Sequence, residues 1–149
     1  MTGEHLGAVG ATGTGLQAQE VGTLGSATVP GAVRALRGAT TIDADEAGQV
    51  EDRVVALLQE MLSRNGVEHE EIISILFTAT DDVHSAFPAT AARTIGLGDV
   101  PLICARELDI TDATPRCIRV MMHLWTEQGR ADLRHVYLEG AKGLRDDLP

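Results

Sequence analysis

Four arginines stand where an alternating apolar pattern predicts strands: Arg37, Arg106, Arg119 and Arg134. Arginine keeps its charge at any working pH and presents a planar fork of donors that grips a carboxylate at two points. Arg119 is the sharpest of the four, because Ile118, Val120, Met121 and Met122 surround it in the chain. An unpaired buried charge is costly, so Arg119 is either salt-bridged within the fold or placed to meet an anionic ligand. Sequence alone leaves both readings open. Other chemistry finds less support. Glu107, beside an apolar run, is the acidic candidate for proton transfer, yet alone it reads as a strand-edge residue. Cys104 has no local feature that would lower its pKa. Cys104 and Cys117 have no partner at zinc spacing, and His69-Glu70-Glu71 fails as a HExxH helix because Ile73 stands where the second histidine would be. His84, His123 and His135 fall on different elements. GATGTG near the N-terminus lacks the lysine of a phosphate loop. Neither metal nor cofactor is expected.

These side chains need a scaffold, and the periodicities supply one. VRALRGATT from Val33 reads as a strand. Val50, Val54, Leu57, Leu58, Met61 and Leu62 recur at three-and-four spacing and form one apolar helical stripe. Asp43 or Asp45 can cap that helix, and Asn65-Gly66 supplies a left-handed stop. EIISILFTAT (71–80) is apolar on both faces and predicts a buried central strand. Pro88 opens a short helix through about Ile95. VPLICARELD (100–109) predicts a third strand. CIRVMMHLWTE (117–127) predicts a long one, with Ile118, Val120, Met122 and Leu124 on one face and Cys117, Arg119, Met121 and His123 on the other. LRHVYLEGA (133–141) predicts the last. The order is β-α-β-α-β-β-β, an α+β fold with helices on one face of a mixed sheet. Two helices cannot cover so much apolar strand surface, which points to an oligomer whose subunits share sheet faces.

The whole chain sets bounds on function. It has 149 residues, with 12 Lys+Arg against 22 Asp+Glu and a formal charge of −10. Such a chain cannot neutralise a run of phosphates, so no nucleic-acid partner is expected. No apolar run reaches the ~20 residues of a membrane span, so no membrane partner is expected either. No signal peptide is evident, and two cysteines suggest thiols in a reducing cytoplasm. Residues 1–32 hold eight of the 16 glycines and no Lys or Arg, and are expected to form a flexible extension. Residues 33–149 form the folded domain, with a mobile tail expected from about 142. Arginine supplies 11 of the 12 basic residues, a bias that codon preference would also explain.

Five stretches together carry a resemblance: VRALRGATT, TATDDVHSAFPATAAR, VPLICARELD, CIRVMMHL and RHVYLEGAKGLRDDL. In this order they resemble the trimeric, mixed-α/β class of chorismate mutase. The resemblance implies a homotrimer that forms a pseudo-barrel with pockets between subunits. It implies the substrate chorismate, rearranged to prephenate without proton transfer or covalent intermediate, in phenylalanine and tyrosine synthesis. By the same resemblance Arg119 looks like the cation at the breaking ether oxygen, and Arg37 and Tyr137 look like carboxylate partners. Glu107 and Cys104 look like partners of the ring hydroxyl, and Phe87 like an apolar wall. Arg93 and Arg145 look like outer cations, with Leu144 beside the latter. Thr90 stands where the family often has a lysine. Cys104 and Glu107 are three residues apart, so a regular strand would send them to opposite faces. The alternatives are a non-catalytic trimeric binder of small aromatic carboxylates and a small trimeric α+β deaminase.

Overall fold

A computed structural model describes residues 30–145 of the chain. Most of the N-terminal extension expected at 1–32, and the last residues of the expected tail, lie outside the described residues. The elements are β1 (Ala32–Thr41), α1 (Ala47–Asn65), β2 (Ile72–Ala79), α2 (Pro88–Thr94), β3 (Leu102–Arg106), β4 (Cys117–Thr126) and β5 (Val136–Tyr137). Ala32, placed in the extension by composition, opens β1. The strands form one mixed sheet in the order β3-β2-β4-β1-β5. β4 runs antiparallel to both β1 and β2, while β3 and β5 lie parallel to their neighbours.

Strand alternation sorts the side chains into two faces. Leu36, Ile75, Phe77, Ile118, Val120, Met122 and Leu124 point toward the helices and are buried with Val50, Val54, Leu57, Leu58 and Met61 of α1. Full burial of each large side chain is worth about 1.5–3 kcal/mol, which is what docks α1 on the sheet. α1 comes close enough that a Cβ at Gly38 would sit 2.4 Å from the Met61 sulfur, so the glycine of RGATT permits this approach. The other face carries Arg37, Ala39, Leu76, Thr78, Arg119, Met121 and His123; no α-helix covers it among the described residues, and only the short 3-10 turn Glu139–Ala141 packs over its Ala39 and Cys117 end.

Three sequence expectations change. First, neither Asp43 nor Asp45 caps α1; Glu46 is the N-cap residue and makes no side-chain cap bond. Gln49 Oε1 instead accepts from the backbone N–H of Asp43 and of Ala44. Asp43 pairs with Arg53 at 2.8 Å, and Asp45 accepts the N–H groups of His84 and Ser85 at 2.9 and 3.0 Å. The carboxylates are drawn off by partners distant in sequence. Second, β2 is buried on one face only: Ile75 and Phe77 are covered, but Ile73 is exposed beside a bulge between Ile72 and Ser74. Third, the strand expected over 133–141 shrinks to two residues. Asn65 captures both backbone groups of Arg134, its Oδ1 accepting at 2.6 Å and its Nδ2 donating at 2.9 Å. At the far end Glu139 turns the chain at φ 51°. The Asn65-Gly66 stop itself holds, with Gly66 at φ 57° and the Val67 N–H bonded to Leu62 O at 3.0 Å.

Candidate active site

The uncovered sheet face gathers the strand-borne polar groups. Ala39 on β1 faces Arg119 on β4 on one side and Tyr137 on β5 on the other. Thr78 on β2 faces Arg119 from the opposite edge. Glu107 lies one residue past β3, but its N–H still bonds Ala79 O at 3.0 Å. That bond keeps it in line with β2 and turns its carboxylate over Thr78. Oε2 accepts the Thr78 hydroxyl at 2.7 Å, and Oε1 accepts the Leu108 N–H at 3.1 Å. The Thr78 hydrogen bond, more than any other cause, holds Glu107 below the usual carboxylate range; Arg119 and Arg37 add to it against the opposing effect of burial.

Arg119 Nε lies 3.6 Å from Glu107 Oε2. This is an ion pair without a hydrogen bond. Arg106 and Asp81 show the contrast: Nε and Nη2 each meet one oxygen of the carboxylate, a closed bidentate clasp. Four buried side-chain atoms among the described residues have no hydrogen-bond partner, and two of them, Arg119 Nε and Tyr137 Oη, belong to this face. Leaving a buried donor unmet costs about 1–3 kcal/mol, so a fold keeps such atoms for a reason. Beneath them Ala39, Cys117 and Ala141 form a small buried cluster, with Tyr137 and Leu144 packed against it. Burial pushes the Cys117 thiol up, the direction opposite to that of an activated nucleophile.

The other candidates lie elsewhere in the chain. Cys104 pairs with Phe77, whose side chain is in the core, and packs against that core rather than beside Glu107. The opposite-face rule therefore holds for the pair. Cys104 and Phe87 both line a cavity of about 660 Å³ between the end of β2, the loop before α2 and β3. Phe87 is 73% exposed, and Thr90 and Arg93 are exposed on α2. Arg145 is close enough to influence His135. So one chain brings together Arg37, Glu107, Arg119, Tyr137 and Leu144, and holds Phe87, Thr90, Arg93 and Cys104 apart from them. Thr78 is a site residue that the sequence reading missed. Its alternation with the buried Phe77 marks its face, but nothing local links it to a carboxylate 29 residues on. No cluster of three or more His, Cys, Asp or Glu suited to a metal occurs among the described residues.

The described chain is a five-stranded α+β sheet with helices on one side and two arginines, a carboxylate and a phenol on the other, the class of fold and face that suits a small polyanion. The family profile for chorismate mutase type I matches residues 33–148. The chain belongs to that family. It is 45% identical to the chorismate mutase AroH of Thermus thermophilus over 118 residues, 78% of this chain and 96% of that protein. It is 38% identical to the AroH enzyme of Bacillus subtilis over 117 residues, 78% of this chain and 92% of that protein. The solved structure of a chorismate mutase from Clostridium thermocellum superposes with a TM-score of 0.72 at 46% identity, covering 73% of this chain and 97% of the other. These matches set aside the binder and deaminase readings.

Proposed function

We propose that this chorismate mutase, an isomerase of aromatic amino acid biosynthesis, works by conformer selection and electrostatic stabilisation on the uncovered sheet face. The rearrangement of chorismate to prephenate is pericyclic. One C–O bond breaks as one C–C bond forms within a single molecule, so no base, nucleophile or redox partner is required. The protein must compact a flexible dianion, supply positive charge where the ether oxygen gains electron density, and exclude water.

Arg119 fits the second task. Its Nε is buried, held only loosely by Glu107 and without a hydrogen-bond partner, and this observation carries the proposal. Glu107, held ionised by Thr78, accepts from the ring hydroxyl. Arg37 and the Tyr137 hydroxyl bind carboxylate oxygens, with Leu144 and Arg145 closing the tail side. Phe87, Thr90 and Arg93 stand apart from Arg119 and Glu107 within one chain and are assigned to the pocket of an adjacent copy. Exposed Val33, Ile103, Trp125 and Phe87 support an assembly that covers them. The assembly proposed is a homotrimer, located in the cytoplasm and without a nucleic-acid partner. Among the described residues no helix is long and apolar enough to cross a membrane. Cys104 packs against the core, so any contact it makes with the ring hydroxyl needs that side chain to turn.

Substitution of Arg119 tests the mechanism. Loss of one such electrostatic contact costs about 10²–10³ in rate. Arg119→Lys keeps the charge but loses the planar fork, and kcat should fall steeply while Tm stays near that of the parent. Chorismate loss by absorbance, with acid conversion of the product to phenylpyruvate, reads turnover. A lower Tm with normal kcat in the folded fraction would make Arg119 a structural ion-pair partner instead.

A further inference from the structure

β5 pairs with β1 through only Val136 and Tyr137, and the pairing ends where a ladder bond should follow. In a parallel ladder a residue bonds to the two residues flanking its partner. Ala39 is opposite Tyr137 and accepts from Leu138 N–H at 2.9 Å. Two residues back, the same register sets Arg37 opposite His135 and calls on the Arg134 carbonyl to receive the Arg37 N–H. That carbonyl is already taken by Asn65 Nδ2 at 2.9 Å. The Arg37 N–H is met instead by the side chain of His135, through Nδ1 at 3.0 Å. An imidazole thus replaces a strand carbonyl at the residue whose guanidinium enters the active site.

We propose that His135 is a positioning residue for Arg37, holding it in register through an unprotonated Nδ1, and that protonation of this nitrogen releases Arg37 and weakens substrate binding. The proposal rests on the reading of Arg37 as a carboxylate clamp. To accept the bond, the ring must be neutral with its proton on Nε2. Once Nδ1 carries a proton, two donors face each other and the bond is lost. The charged groups acting on the ring favour the neutral form. Burial is the main cause holding the His135 pKa below the ordinary histidine value, and the cations Arg37 on β1 and Arg145 on the segment after Ala141 act in the same direction. Arg134, next in the chain, turns its Nη1 to Ala131 O at 2.9 Å, and Asn65 on α1 is uncharged. His135 therefore keeps the clamp in place through neutral pH and releases it in acid.

The full-length enzyme is tested in two ways. Nitrogen-15 NMR of histidine-labelled protein should show His135 as the Nε2–H tautomer at neutral pH, titrating below free histidine. A proton on Nδ1, or titration at or above the ordinary value, overturns the proposal. The pH dependence of kcat/KM supplies the second readout. Wild type should lose activity on the acid side of neutrality, mainly through a rise in KM. His135→Asn puts Oδ1 at the Nδ1 position and cannot titrate; it should keep activity at neutral pH and retain only the lower-pH limb due to Glu107. His135→Leu, which offers no acceptor, should lose about threefold to tenfold in kcat/KM at all pH values, as expected for one hydrogen bond. Arg37→Ala separates the two ideas. Full turnover from Arg37→Ala overturns the clamp reading and the catalytic half of this proposal with it. An impaired Arg37→Ala, combined with a wild-type acid limb in His135→Asn, overturns the role of His135 alone.

Discussion

Glu107 shows how a side chain acquires a role that its own neighbourhood in the chain does not announce. As a carboxylate at the end of an apolar strand it is unremarkable. Its pKa is lowered chiefly by Thr78, whose hydroxyl donates at 2.7 Å, ahead of the more distant Arg119 and Arg37. Because the folded pKa is depressed, the stability Glu107 contributes is present above the ordinary carboxylate range and is lost as pH falls through the folded value. Thr78→Val keeps the shape and removes the donor. The Glu107 carboxyl should then titrate at higher pH by carbon-13 NMR, with the low-pH limb of kcat/KM moving up alongside it. An unmoved titration would assign the depression to the Leu108 N–H and the arginines instead. Arg119 and Glu107 were both legible as candidates, Arg119 because a charge inside an apolar strand demands an explanation. Thr78 and His135 were not, since each acts on a residue brought near only by the sheet.

At the scale of elements, the end of α1 governs the far edge of the sheet. Asn65 read locally is half of a helix stop. In the fold it is buried, donates to Met61 O at 2.8 Å and to Arg134 O at 2.9 Å, and accepts from the Arg134 N–H at 2.6 Å. One amide side chain thus meets a carbonyl of the last turn of α1, occupies both backbone groups of Arg134 where β5 stops short, and leaves the Arg37 N–H to His135. Asn65→Ala removes all three bonds and strands both backbone groups of Arg134. Each unmet buried group costs about 1–3 kcal/mol, so a clear drop in Tm is expected by thermal denaturation. Asn65→Asp restores the acceptor but not the donor and should lie between the two. A variant as stable as wild type would show that water replaces the amide. The helix stripes and most strand centres were legible because they follow local periodicity. The N-cap of α1 and the ends of β3 and β5 were not, because long-range hydrogen bonds decide them.

For the whole molecule, the apolar residues on the uncovered side of the sheet set the expectation. Ile103 is 63% exposed and Val33 54%, on a face that also bears the site. An assembly through this face would complete the pocket and remove these side chains from water together. If the proposed trimer forms through this face, Ile103→Asp should leave circular dichroism unchanged, lower the mass seen by light scattering toward that of one copy, and abolish turnover in parallel. A dissociated protein with full activity would place the complete site within one chain.

The amino-acid order alone determined the sequence of elements, the two faces of β4 and the isolated cation Arg119, because hydrophobic periodicity and local burial are properties of neighbouring residues. It also carried the family, through five motifs in the right order. Tertiary structure alone decided which carboxylate meets Arg119, which hydroxyl lowers that carboxyl's pKa, and which of the two faces of β3 is the core one. It likewise decided that a histidine replaces a strand carbonyl beside Arg37. Those outcomes depend on strand register and on contacts between residues 12 to 98 positions apart, which no local pattern encodes.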